Sequence, residues 1–583
     1  MRVRLALVLA VVLVLALVVQ LTRVTVMAEG RYRALAVDEP EVRILLPGLR
    51  GAILARNGQP LAISVLTGTV VADPFLIRSP GPEAVALGKL LDQPASAIEP
   101  SLEGRRGYAV VATSVHRSLG DRIEALALDG ALPGINVEPG QTRFYPDGAL
   151  AEPVVGRLDG AGQGAFGLEY QYQSLLAGSN GYEVVREAAN GLSLPGAVVA
   201  SHPAHQGTSL ELTIDPALQA YAERAVAGEM EATRAIRGTA IVMDVATGQI
   251  LAMVSLMAPP LPSTPQLPGG AQPVDAVRAL PTESWINQAV AYAYEPGSVA
   301  KIATFAAALE EHLITPSSTE VVPGQLVIDG SVFHDAWSHP TEVMTMRQIL
   351  AESSNVGTIE LAERVGKDAL VRSFERFGWG EPTGLSFPGE TDGLIKPPTT
   401  WSPTAIGSTP IGQDQLVTPL QILDSYNAIA NGGVMVPPRL VLGTLRQGHL
   451  VPMPAPLPHR ILPSWVDVEL RSLLSGVTGA HATAPAAAIP GYVVAGKTGT
   501  SQKPSRTHPG YQPGAYWGTF VGMVPAAHPV LSAIVMFDQP VPIYGGMTAA
   551  PVFSAIMRYA LARYGITPTG RVLSTLLPPR GQR

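Results

Sequence analysis

Five strand-like apolar runs constrain the fold of this chain more than any other feature. Two stand mid-chain, Gly238 to Asp244 and Gln249 to Val254, and Ala246-Thr247-Gly248 between them reads as a hairpin turn. Three more follow near the carboxyl end, at 491–500, 516–524 and 531–537. Between the groups the apolar spacing becomes helical, from Ser298 to Leu309 and again from Thr345 to Ile359. Asp215-Pro216 opens another expected helix, with Asp as N-cap, Pro at the first helical position, and Leu218, Ala222 and Ala225 as its apolar stripe. A closing helix covers about 551–564. Strands, then helices, then strands predicts an α+β fold with helices packed on an antiparallel sheet.

The remaining chain divides around that unit. At roughly 150 residues per domain, 583 residues are too many for one core. Residues 30–200 read as strand-rich and irregular, punctuated by Gly and Pro, and 257–274 is a Pro-rich loop. After Arg2 and Arg4, Leu5 to Leu21 is apolar except for Gln20. A membrane span needs roughly 20 such residues, and Arg23 could reach the headgroups. Val26-Met27-Ala28 offers the competing reading, a cleaved signal peptide, but the run exceeds the usual apolar region of roughly 7–15 residues. The expectation is a single uncleaved transmembrane helix within 1–28, then units at 29–204 and 205–583. The amino terminus would be cytoplasmic and the bulk of the chain outside the cytoplasmic membrane.

Composition excludes several chemistries. The net charge of −7 argues against nucleic acid as the main partner. The absence of Cys removes disulfides, thiol nucleophiles and Cys-ligated zinc. His334 and His339 flank Asp335, but positions i and i+5 do not share a helical face as the two His of His-Glu-x-x-His do. They read as incidental residues of an exposed loop, and no metal or other cofactor is expected.

Three short motifs carry chemistry. In Glu295-Pro296-Gly297-Ser298-Val299-Ala300-Lys301, a spacing of three places Ser298 and Lys301 on one helical face. A serine hydroxyl attacks poorly until a neighbouring base takes its proton. Lysine serves as that base when burial and nearby cations depress its pKa, whereas arginine stays protonated. Only six of the 40 basic residues are lysine, and Ser298 is the one serine with a lysine three residues after it. The second motif is Ser353-Ser354-Asn355, where a further hydroxyl can relay a proton and an amide can bind a peptide. The third, Lys497-Thr498-Gly499-Thr500, sits on a strand-like run; Gly499 permits close approach of a substrate backbone, and Lys497 offers positive charge for a carboxylate.

This ordered set resembles the penicilloyl-serine transferases, the penicillin-binding proteins and serine β-lactamases. Further stretches resemble the class B high-molecular-mass penicillin-binding proteins: Arg50-Gly51-Ala52-Ile53-Leu54-Ala55-Arg56-Asn57-Gly58, Arg143-Phe144-Tyr145-Pro146, Gly156, and Gly164 to Glu169. Asn287-Gln288-Ala289, Val417 to Gln421, Tyr544-Gly545-Gly546 and Ala550 to Phe553 match as well, so the resemblance covers most of 45–565. It is nearest the septal, FtsI-like subgroup. It implies a strand-rich, elongated pedestal at 29–204 and a transpeptidase domain at 205–583. Two departures stand out: Asp414 occupies a place where the family commonly has Gly, and Arg56 follows Ala55 rather than Asp.

The resemblance implies a D-Ala-D-Ala stem peptide as substrate, with β-lactams as covalent inhibitors. Ser298 would be the nucleophile, Lys301 its base, Ser353 the proton relay and Asn355 the holder of the peptide amide. Lys497, Thr498, Gly499 and Thr500 would bind the terminal carboxylate, and the Ser298 and Thr500 N–H groups would form the oxyanion hole. It also implies a glycan polymerase of the FtsW-like SEDS type and division proteins as partners, reached through anchor and pedestal. The alternatives are an elongation-type transpeptidase, a D,D-carboxypeptidase or endopeptidase, a β-lactamase, and a penicillin-binding receptor or scaffold.

Overall fold

The computed structural model describes residues 2–23, 41–104, 107–187, 193–259, 281–505 and 507–568. Two compact units emerge. The first comprises 1–51, 64–144 and 177–207. Its sheet orders Gly181–Glu187 between Glu41–Leu46 and Ser193–His202, all antiparallel. Its separate apolar core gathers Val70, Leu87, Ile98, Leu102, Ile123 and Ile135, to which the helices Pro80–Leu91, Ala95–Leu102 and Arg117–Leu128 contribute.

The expected membrane anchor is corrected here. A helix spans Arg2–Thr22. Among the described residues no helix is long and apolar enough to cross a membrane. The expected single-pass topology, the cytoplasmic amino terminus and the polymerase partnership routed through the anchor lose that support. Val26-Met27-Ala28 and most of the Pro-rich stretch 257–274 lie outside the described residues.

The second unit, 52–63, 145–176 and 208–583, contains the six-stranded sheet. Its strands are β1 (Arg237–Asp244), β2 (Ile250–Met257), β3 (Thr282–Glu283), β8 (Ala495–Pro504), β9 (Tyr511–Val524) and β10 (Leu531–Asp538), in the order β3-β2-β1-β10-β9-β8. Every pairing is antiparallel. The smaller strands β4 (Thr319–Val322), β5 (Gln325–Ile328), β6 (Ser331–His334) and β7 (Glu342–Thr345) form two pairs, β4 with β7 and β5 with β6.

Alternation explains the layers. Successive residues of a strand face opposite sides, and here both sides are apolar. Ile241, Met243, Val521, Met523 and Ile534 enter one core. Ala240, Val242, Phe520, Val535 and Phe537 enter the other. Against the second core lie α1 (Pro216–Thr233) and α6 (Ala549–Arg563), whose Tyr221 and Tyr559 rings stack at 4.3 Å. Asp215 caps α1 as expected, accepting from the Ala217 and Leu218 amides at 3.1 and 3.3 Å. The first core holds α2 (Lys301–Glu310), α4 (Asn355–Val365) and α5 (Pro419–Ala430), with α3 (Met346–Ala351) preceding α4.

Two helical expectations change in detail. Gly297–Ala300 is a 3-10 turn and the α-helix proper begins at Lys301. The run from Thr345 to Ile359 is two helices, broken where Ser353 takes φ +64. A left-handed residue cannot continue a right-handed helix.

Candidate active site

The 3-10 turn sets the nucleophile. Residues three apart eclipse in a 3-10 helix, so Ser298 stands directly above Lys301 at the head of α2. Gly297 enters the turn at φ +59, and its N–H donates to the Gly412 carbonyl at 3.0 Å. Gly412, at φ +87, lies so close that a Cβ there would collide with the Gly297 carbonyl. The Tyr426 hydroxyl of α5 holds the next turn by donating to the Val299 carbonyl at 2.9 Å. Ser298 is half-buried, whereas Val299, Ala300 and Lys301 are buried.

Lys301 reaches the second motif. Its ammonium, with three N–H groups, lies within hydrogen-bond distance of four oxygens: the Ser353 and Ser354 carbonyls at 2.7 and 3.0 Å, Asn355 Oδ1 at 2.9 Å and Ser353 Oγ at 3.3 Å. Ser298 Oγ is not among these partners. The left-handed Ser353 makes the cluster possible, because the break between α3 and α4 turns both carbonyls toward Lys301. Ser354 then caps α4 by accepting from the Gly357 amide at 3.0 Å. Burial drives the Lys301 pKa down to about 7, while the charge of Asp335 pulls the other way.

The third motif arrives from strand β8, an edge of the sheet. Gly499 pairs in register with Thr519 of β9, and a Cβ on it would sit 3.0 Å from the Pro296 carbonyl. The strand therefore packs directly on the nucleophile turn. Lys497, wholly buried, donates to Ser353 Oγ at 2.8 Å and to the Thr498 carbonyl at 3.2 Å. Burial first, and the charge of Lys301 second, hold its pKa well below the usual lysine value. Thr498 donates to Thr483 Oγ1 at 3.0 Å, and Thr500 Oγ1 accepts from the Gly545 amide at 3.3 Å. Hydrogen bonds thus join Lys301, Ser353, Asn355 and Lys497, while Gly499 packs on the turn that carries Ser298 and Thr498 and Thr500 bond to Thr483 and Gly545.

Asp414 is accommodated rather than disruptive. It takes φ +61, a region Gly enters freely and Asp tolerates when locally bonded. Its N–H donates to Glu295 Oε1 at 3.1 Å, and its carboxylate accepts from Ser408 and from Lys396 at 3.4 Å. Burial raises the Glu295 pKa.

Several residues escaped the sequence reading. Asp335 is buried rather than part of an exposed loop, and one oxygen accepts from the Asn355 and Val356 amides at 2.5 and 3.0 Å. His339 Nε2 meets its other oxygen at 3.1 Å. Thr483 and Gly412 reach the site from loops far away in sequence. Thr483 belongs to no short motif, and Asp335, His339 and Gly412 stand in stretches whose local sequence does not state these contacts. Among the described residues no cluster of acidic or His side chains could hold a metal ion.

Comparison with known proteins agrees with this geometry. Residues 238–558 match the penicillin binding protein transpeptidase domain, and 45–212 match the penicillin-binding protein dimerisation domain. Penicillin-binding protein PbpB of Mycobacterium tuberculosis is 32% identical, across 96% of this chain and 84% of the relative. The peptidoglycan D,D-transpeptidase FtsI of Escherichia coli K12 is 30% identical, across 93% of this chain and 87% of its own. The crystal structure of penicillin binding protein 3 from Mycobacterium tuberculosis complexed with ampicillin superposes with a TM-score of 0.68 at 28% identity, covering 90% of this chain and 97% of that one. The chain therefore belongs to the class B high-molecular-mass penicillin-binding proteins, the FtsI-like D,D-transpeptidases.

Proposed function

We infer that the chain is a serine-type peptidoglycan D,D-transpeptidase that cross-links stem peptides and is acylated by β-lactams, working in septal wall synthesis. One observation carries this reading. Two buried lysines, both with depressed pKa values, converge on the single hydroxyl of Ser353, and a half-buried serine stands at the head of the helix that carries one of them.

We propose the following roles. Ser298 Oγ attacks the carbonyl carbon of the penultimate D-Ala, and Lys301, neutral above about pH 7, takes its proton. The tetrahedral oxyanion is met by the Ser298 and Thr500 N–H groups. Ser353 Oγ lies 3.3 Å from Lys301 Nζ and 2.8 Å from Lys497 Nζ, so its hydroxyl can give up a proton and regain one from a lysine. That proton passes to the amine of the terminal D-Ala as the C–N bond breaks, and Lys301 resupplies it. An amine from a second stem peptide then attacks the ester, loses a proton along the same relay, and releases Ser298 with a new peptide bond. Lys497, Thr498, Gly499 and Thr500 hold the substrate carboxylate against the β8 edge. The Asn355 amide borders the same cleft, its Oδ1 shared with Lys301 and its Nδ2 donating to the His334 carbonyl at 3.1 Å. The two family matches, at 45–212 and 238–558, support a non-catalytic pedestal at 29–204 and a transpeptidase domain at 205–583.

The direct test is labelling by a fluorescent penicillin. Wild type should form a long-lived adduct that Ser298→Ala abolishes. Equal labelling of the two would refute the acyl-enzyme assignment, and rapid release would indicate a β-lactamase. Filamentous cells on depletion support the septal role, and rounded cells the elongation role.

A further inference from the structure

The loop that follows β6 reaches the second motif from behind. Asp335, fully buried at its side chain, stands at the start of α4 and accepts from the amides of Asn355 and Val356. A carboxylate at a helix N-terminus satisfies orphan N–H groups and faces the positive end of the dipole. Here the carboxylate comes from 20 residues away rather than from the helix's own cap. Its second oxygen is engaged by His339 Nε2, and His339 Nδ1 faces the Pro340 carbonyl at 2.8 Å and Glu342 Oε1 at 3.3 Å. The His339 backbone is itself pinned, since a Cβ on Gly324 would collide with its carbonyl.

These contacts form one path. Glu342 and His339 hold Asp335, Asp335 holds the Asn355 backbone, and Asn355 Oδ1 holds the Lys301 ammonium at 2.9 Å. The titratable groups facing Asp335 are Lys301 from α2, Glu360 from α4 and His339 from its own loop.

We propose that Asp335 and His339 are positioning residues for acyl transfer: together they lock the Ser353-Ser354-Asn355 turn against Lys301 and place a fixed negative charge behind that lysine. Neither touches substrate. The pair acts through Lys301 and Asn355, and this inference rests on the acyl-enzyme assignment above. The Asp335 charge favours the protonated ammonium. Removing it therefore moves deprotonation of Lys301 to lower pH.

The test measures the acylation rate constant with fluorescent penicillin across neutral pH, together with thermal unfolding, on the full chain. Asp335→Asn keeps an oxygen for the two amides but loses the charge. Its rate should rise with pH about one unit earlier than wild type. His339→Leu leaves Asp335 without its second partner and should acylate roughly ten- to a hundredfold more slowly, the scale of a small misplacement of catalytic groups. His339→Gln, whose amide can donate to the same oxygen, should recover most of that loss. Superimposable pH profiles for Asp335→Asn and wild type, with an unchanged rate in His339→Leu, would overturn the proposal. So would lowered unfolding temperatures accompanied by wild-type rates and profiles in the molecules that remain folded. Ser298→Ala in the same series separates the two readings: if it still labels, the acyl-enzyme assignment has failed, whereas loss of its label with unmoved profiles defeats the positioning role alone.

Discussion

Strand β8 carries a lysine near each end, and the two are treated in opposite ways. Lys503 donates to the buried Asp538 at 2.5 Å, lies over the Trp517 ring at 4.3 Å, and shares its carboxylate partner with Arg237 at 3.0 Å. Lys497, six residues earlier, is wholly buried and donates to neutral oxygens of Ser353 and Thr498. Burying a cation is costly unless an anion compensates it. At Lys503 a carboxylate is bonded directly, and the group is structural. Lys497 and its neighbour Lys301 bond no carboxylate directly, the charge of Asp335 offsets the burial of Lys301 only in part, and the cost appears as depressed pKa values. A cation held without a bonded carboxylate is one that can lose its proton or bind a substrate anion.

Replacing the lysine that must lose a proton should have the largest effect. Lys301→Arg keeps charge and approximate size but cannot act as a base. Acylation should fall by roughly 10²–10⁴-fold, the usual contribution of a general base, as measured by stopped-flow β-lactam trapping. Retained activity in Lys301→Arg would show that the charge serves binding alone.

The compensated end should respond in stability rather than chemistry. Asp538→Asn leaves Arg237 and Lys503 facing a neutral amide in a buried site. Breaking such a network costs about 3 kcal/mol, which denaturant unfolding would register. The rate of acylation per folded molecule should stay near wild type. A large loss of rate at unchanged stability would erase the distinction between the two ends of β8.

Titration sharpens the same contrast. Lys301 binds a proton below about pH 7 and is neutral above it, so the acylation rate should climb roughly tenfold per pH unit on the acid side and level off above that point. A flat profile would mean that Lys301 is not the titrating base.

Legibility followed the same divide between local and remote. Ser298, Lys301, Ser353, Asn355 and Lys497 were readable because each lies in a short motif whose residue types state their chemistry. The strands were readable because apolar runs buried on both faces have few alternatives. Asp335 and His339 read as incidental because the amides that Asp335 accepts from lie 20 residues away on α4, and the role of His339 follows only from that contact. The break at Ser353 was missed because nothing in Ser-Ser-Asn announces a left-handed serine, a conformation paid for by the lysine contacts that it allows. The amino-terminal anchor was over-read from hydropathy alone, since no described helix is long and apolar enough to cross a membrane.

The smallest effect separates two adjacent serines. Ser354 is fully buried, and its hydroxyl accepts from the Gly357 amide as the N-cap of α4. Its contribution to the site is a backbone carbonyl, which accepts from Lys301 and survives mutation of the side chain. Ser354→Ala should therefore cost about 1 kcal/mol of stability, the usual value of such a cap, and leave acylation within about twofold of wild type. Ser353→Ala removes the hydroxyl on which both lysines converge. It should slow acylation far more than it destabilises the fold. Measured side by side, a larger rate effect at Ser354 would mean that the cap, and not the relay, controls the geometry of Lys301.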